Sequence, residues 1–223
     1  MTRRRGGNRL AAAGVLCLAA ATLRPARAEV IDCIAVALDH QTITLSQVFE
    51  DIRLTAFLND QTPDTSPAER KRAEERLIQQ WLLQREMELN HYPAPKPEDA
   101  QPLWVQLRAR FKTEGDLQAA LARYHLTESK VRQHLLEEVA TVHFIDYRFR
   151  SGLEVPDADV EDYYQKRVVE WKQKGVTPIP TLEESRADIE EILQKERANQ
   201  ALDVWLADVR TQMDISYHEE ACR

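Results

Sequence analysis

VIDCIAVALDHQTITL, residues 30–45, is the one convincing β region near the start of a chain that otherwise reads as helix after helix. Val30, Ile31, Ile34, Val36 and Leu38 are separated from Ile43 and Leu45 by a polar Asp39-His40-Gln41 turn, the pattern of a short hairpin. At the far end, Ile215 and Tyr217 alternate with polar neighbours, so a terminal strand is expected there. That strand could pair with the 30–38 strand and bring Cys33 and Cys222 into one region. Six glycines and 30% charged residues favour helices elsewhere. The expected fold is mostly α, with a small β-sheet joining the N- and C-terminal strands.

Working outward, Thr44 or Ser46 can cap a helix running to about residue 58, burying Val48 and Ile52. Ser66-Pro67-Ala68-Glu69 is a helix start, with Ser66 as N-cap, Pro67 where its missing N–H does no harm, and Glu69 placed to reach back. That helix should run to about Asn90, and the three prolines of 91–97 must end it. Further helices are expected over 98–112, with Pro102 near its first turn, and over 116–124. Another, capped by Thr127, should reach about 149 with Val131, Leu135, Val139 and Val142 on its stripe. Beyond Gly152 and Pro156, residues 157–172 read as helix and 175–180 as a linker with two prolines. Thr181 and Glu184 make a second capping box, opening a long helix to about Met213.

The leader decides the compartment. Arg3-Arg4-Arg5, an apolar run from Leu10 to Leu23 and Ala26-Arg27-Ala28 have the three-part layout of a secretory signal peptide, with cleavage expected after Ala28. The run is short for a bilayer span, so no permanent membrane anchor is expected. Residues 1–28 hold six Arg and no acid, so the processed chain carries 24 basic against 37 acidic residues, a formal charge of −13. Such a chain repels nucleic acid, whose binding depends on neutralising phosphates. Residues 29–223 suit a single domain. Cleavage leaves Cys33 and Cys222, a candidate disulfide in an oxidising compartment, or else two unconnected thiols.

Catalytic constellations are missing from the sequence. None of the six histidines forms HExxH or HxH spacing, and His134 and His143 sit about 13 Å apart along one expected helix. There is no GxSxG, glycine-rich phosphate loop or CxxC, so no enzyme activity, metal or cofactor is expected.

Four passages, in order, resemble the chaperone module of the SurA family of periplasmic folding factors. They are the opening hairpin through Ile43-Thr44-Leu45-Ser46-Gln47-Val48, and the helix Arg76-Leu77-Ile78-Gln79-Gln80-Trp81-Leu82-Leu83-Gln84-Arg85-Glu86. Next come Val155-Pro156-Asp157 with Val160-Glu161-Asp162-Tyr163-Tyr164, and last the helix from Ile189 through Leu206 with its strand. In that family one or two parvulin domains lie between the third and fourth passages. Here only 16 residues separate Tyr164 from Thr181, so the resemblance is to the chaperone core alone, with 157–180 where a parvulin domain would be inserted.

The resemblance implies a periplasmic, ATP-independent holdase for unfolded exported polypeptides, notably outer-membrane β-barrel precursors. Trp104, Phe111, Tyr124, Phe144 and Tyr147 are candidate client-binding surface residues, each with a competing assignment to the core. Trp81 and Trp205, on regular helical stripes, are expected in the core, and Tyr163-Tyr164 to split between inside and outside. A peptidyl-prolyl isomerase relative with residual or lost activity, and an assembly subunit dedicated to one exported partner, are the alternatives.

Overall fold

The structure, a computed structural model, describes residues 1–2 and 32–218. The leader, its cleavage position after Ala28, and Cys222 lie outside the described residues. The following concerns the unit that begins at Asp32.

β1 (Ile34–Leu38) turns through Asp39, whose positive φ of 47° suits a tight reversal, into β2 (Gln41–Thr44). β3 (Ile215–Tyr217) pairs antiparallel with the other edge of β1, giving the order β2-β1-β3. The register sets Val36 opposite Tyr217 and Leu38 opposite Ile215, and the His218 N–H donates to the Ala35 carbonyl at 2.8 Å. The first and last described elements of this unit are therefore stitched by one three-stranded sheet.

Alternation explains the sheet's inner face. Val36 and Leu38 are fully buried, and they pack with Val48 and Ile52 of α1 (Leu45–Leu58) and with Ile78 and Leu82 of α2 (Pro67–Leu89). Leu206 of α7 (Leu182–Thr211) closes that cluster. A second cluster gathers Phe57, Trp104, Leu117, Leu121, Val131 and Leu135 from α1, α3 (Gln101–Arg108), α4 (Glu114–Arg123) and α5 (Glu128–Ile145). α6 (Asp157–Gln173) packs on α7, where Arg197 near the middle of that helix pairs with Asp159.

Helix starts follow the side chains. Thr44 and Gln47 form a reciprocal box, Thr113 and Asp116 another, and Thr181 and Glu184 a third. Ser66 caps α2 but Glu69 does not reach back. Asp64 accepts the Ser66 N–H at 2.9 Å, leaving Glu69 to hold Arg72 and Arg76.

Four expectations are corrected. The 98–112 helix is a 3-10 turn (Pro97–Ala100) followed by α3, because Arg108 folds back on the Phe111 carbonyl (3.2 Å) and Thr113 begins a new cap. The helix from Thr127 becomes a π-helical turn at Asp146–Arg150, which turns Phe149 onto Trp205 (5.7 Å between rings). Val142 is exposed, because the buried face of α5 runs through Val131, Leu135, Ala140 and Phe144. Tyr163 and Tyr164 are both half-buried, with the Tyr164 hydroxyl donating to the Pro180 carbonyl at 2.9 Å.

Trp81 and Trp205 pack against the sheet-side cluster but remain half-buried. The eight residues 174–181 join α6 directly to α7.

Candidate functional site

Pro97 and Pro102 set the geometry of the first wall. Each lacks an N–H, and each sits in the opening turn of its element, Pro97 in the 3-10 turn and Pro102 in α3. This pairing packs the 3-10 turn against α5 and directs Trp104 and Leu107 inward. Trp104 is only 6% exposed, yet it lines a cleft of about 1220 Å³. Pro97, Ala100 and Val105 line one wall, and Leu135 and Leu136 of α5 the other. Val105 is exposed, so the cleft opens onto an apolar rim. The Arg132 guanidinium lies 3.9 Å from the Trp104 ring centroid and is held by Glu128 (Nε to Oε1, 2.7 Å). A partly exposed cation–π contact of this kind stabilises by about 0.5–1 kcal/mol.

A second, smaller cleft of about 270 Å³ continues along α5 and shares Gln133 and Leu136 with the first. Met87, Pro93, Ala94, Pro95 and Ala140 give it an apolar lining, with Tyr92 at one side. Tyr92 meets Phe144 edge-on at 5.1 Å and Tyr147 at 5.4 Å.

The five aromatic candidates fall into three groups rather than one face. Trp104 lines the large cleft. Phe111 and Tyr124 both pack on Phe57, at 6.2 and 5.5 Å, and the Tyr124 hydroxyl donates to the Gln61 carbonyl at 2.8 Å. Phe111 is half-buried and Tyr124 buried, so these two rings belong mainly to the core. Phe144 is 0% exposed and offers no surface, whereas Tyr147, three residues on, is 62% exposed. Tyr92, Arg132 and Met87 were not among the expected site residues. A tyrosine directly before Pro-Ala-Pro was the available signal for Tyr92, because a rigid extended segment holds its neighbours at a surface.

A polar pocket of about 280 Å³ lies between β2, α1, α2 and α5, lined in part by Asp51, Gln80, Trp81, His134 and Glu137. Burial pushes the Asp51 carboxyl above its usual range, against the opposing pull of Arg76, whose Nη2 lies 2.6 Å away. Gln80 and Gln133 donate to the two oxygens of Glu137, at 2.9 and 2.8 Å. These contacts make an interlocked structural network with no nucleophile set against a base. Among the described residues, no group of three or more His, Cys, Asp and Glu could hold a metal ion, and no helix is long and apolar enough to cross a membrane. Cys33 is a bonded cysteine just ahead of β1, and the Cys33–Cys222 pairing falls outside the described residues.

No protein-family model and no curated protein matches the chain. Among solved structures, one similar chain comes from work describing the virulence factor PEB4 and the periplasmic protein Cj1289 as two structurally related SurA-like chaperones in the human pathogen Campylobacter jejuni. It is 11% identical, with a TM-score of 0.49, over 84% of this chain and 100% of that one.

Proposed function

We propose that this chain is an exported, ATP-independent chaperone, a holdase that binds unfolded outer-membrane or secreted polypeptides in the periplasm. The observation that carries the proposal is the open apolar cleft between α3 and α5, with Trp104 along its wall and Val105 and Leu136 at its sides. Its volume of about 1220 Å³ is larger than the roughly 300–1,000 Å³ of an ordinary small-molecule pocket. Apolar contacts are non-directional, so such a cleft accepts many sequences and releases each of them. A formal charge of −13 on the processed chain keeps the empty chaperone soluble despite exposed apolar surface. The leader and the ordered resemblance to SurA-like chaperones agree with this compartment and role. Direct joining of α6 to α7 agrees with a chaperone core that carries no inserted isomerase domain.

Suppression of aggregation tests the proposal. Unfolded β-barrel precursor diluted from urea should scatter less light as the chaperone is added, in the absence of ATP. Val105→Lys, which puts a charge on the exposed rim without touching the core, should weaken that protection several-fold. Full aggregation at a tenfold excess of chaperone would overturn the proposal.

A further inference from the structure

The two clefts beside α5 adjoin, with Gln133 and Leu136 in both linings, and the charge along this combined groove is not neutral. Glu98 and Glu128 line the larger part, and Glu88 and Glu137 the smaller. Arg132 is the single cationic side chain among the residues lining the two clefts, and it is already paired with Glu128 and stacked on Trp104. Among the described residues, Glu88 and Glu137 accept hydrogen bonds from neutral amides, Gln84 to Glu88 and Gln80 and Gln133 to Glu137, and neither forms an ion pair. Nearby Lys96 has Asp99 three residues away, whose carboxylate accepts the Lys96 backbone N–H. The rim is thus acidic while the walls are apolar.

Length follows from the helix. The α5 residues lining the groove run from Glu128 to Thr141, about 20 Å at a rise of 1.5 Å per residue. An extended chain advances about 3.3 Å per residue, so the groove spans about six residues of client. We propose that this groove selects extended, net-positive segments, about six residues long, with apolar side chains at both ends and Lys or Arg between or beside them. The proposal rests on the chaperone reading and specifies which stretches of a client are held. Charge complementarity is what favours a cationic polypeptide over a neutral one or a second acidic copy of this chain.

The test uses three fluorescent peptides with the folded, processed chain. Two have eight residues and the same aromatic pair, one flanked by lysines (net +3) and one by glutamates (net −3). The third is a four-residue half of the cationic peptide. At about 20 mM salt the cationic octamer should bind about tenfold tighter than the acidic one. That preference should shrink to about twofold at 0.5 M salt, where screening acts within about 4 Å. The half-length peptide should bind at least tenfold more weakly than the octamer. Glu88→Gln with Glu98→Gln removes two exposed charges outside both core clusters, and should cut the tenfold preference to about threefold.

Equal affinity for the two octamers, or a preference that salt does not change, would overturn the proposal and leave the chaperone reading standing. Absence of binding by every peptide and by unfolded precursor alike would overturn both. Peptide affinity that falls as the chaperone concentration rises, together with a dimer in sedimentation, would assign the groove to a second copy and also overturn the proposal.

Discussion

Phe144 and Tyr147 lie one turn apart, at 6.4 Å between rings, and mutation should separate them completely. Phe144→Ala removes a fully buried ring that meets Tyr92 edge-on. Truncating such a ring forfeits its transfer free energy and leaves a cavity, a loss of about 3–5 kcal/mol. For a domain of this size each kcal/mol moves Tm by about 2–4 °C, so the expected fall is roughly 6–20 °C. Tyr147→Ala removes a ring that is already 62% exposed. Surface substitutions usually stay within about 0.5 kcal/mol, and the tilted contact with Tyr92 adds at most about 1.5 kcal/mol. At about 2 kcal/mol in all, its Tm should therefore fall by at most about 4–8 °C. Thermal unfolding by circular dichroism gives both numbers. A client titration at 15 °C, where both variants are folded, gives the opposite ranking: several-fold weaker binding for Tyr147→Ala and near wild-type binding for Phe144→Ala. A Phe144→Ala variant as stable as wild type, or matched losses of stability in the two variants, would refute this division between core and client-facing surface.

The Glu75 carboxylate accepts bonds from Arg210 and from the Tyr217 hydroxyl, tying β3 and α7 to α2. Burial alone would raise its pKa, but those donors more than offset it and hold it below the ordinary 4.5. The stability advantage of wild type over Glu75→Gln should thus be complete above pH 4.5 and disappear as pH falls through the folded-state value, as urea titrations at pH 7 and pH 3 would record. Tyr217 moves the other way: burial, then its bond to Glu75, push it up to about 12 from 10.0. Stability should consequently decline as pH rises from 10.0 to about 12, and phenolate absorbance of the folded chain should develop late. Thr181→Ala opens the capping box of α7 and should cost about 1 kcal/mol, read as a lower urea midpoint with an unchanged slope. A peptide map of the non-reduced processed chain should contain one Cys33–Cys222 cross-link. A loop of that length constrains the unfolded state by roughly 5 kcal/mol in the chain-entropy model, and recovery of two free thiols would dismiss the pairing.

Local chemistry was the legible part of this fold. Ser66, Thr127 and Thr181 announced three helix starts, and Thr44 or Ser46 a fourth that the structure gives to Thr44, because a hydroxyl that satisfies an orphan N–H leaves a short sequence signature. The hairpin and the terminal strand were legible from period-two alternation, and their pairing from the placement of both near the chain ends. The end of α3 was not: past it, Arg108 reaches the Phe111 carbonyl and Phe111 packs on Phe57 from a distant helix, contacts that no local pattern announces. Burial of Asp51 and Glu74 was equally hidden, since apolar periodicity says nothing of acids that are carried inside.

In the candidate site, Trp104 was visible as an aromatic residue on an expected helix, but the cleft beside it was not. It exists because two proline-started elements from one stretch of chain meet α5 from another, and no local pattern encodes that encounter. Among the five aromatic candidates, the ring type alone could not separate Tyr147 from Phe144. Phe144 lies on the buried face of α5, whereas Tyr147 already sits in the π-helical turn that begins at Asp146 and changes the register in which side chains face the core.

Whether the α3–α5 groove holds unfolded exported chains is read by a binding titration of residues 29–223 against an unfolded β-barrel precursor. An unfolded, aromatic-poor soluble protein is the control, and Val105→Lys the variant. Micromolar binding to the precursor, at least tenfold weaker binding to the control and a several-fold loss on Val105→Lys are predicted. Failure to bind either polypeptide, or binding that Val105→Lys leaves unchanged, would contradict the claim.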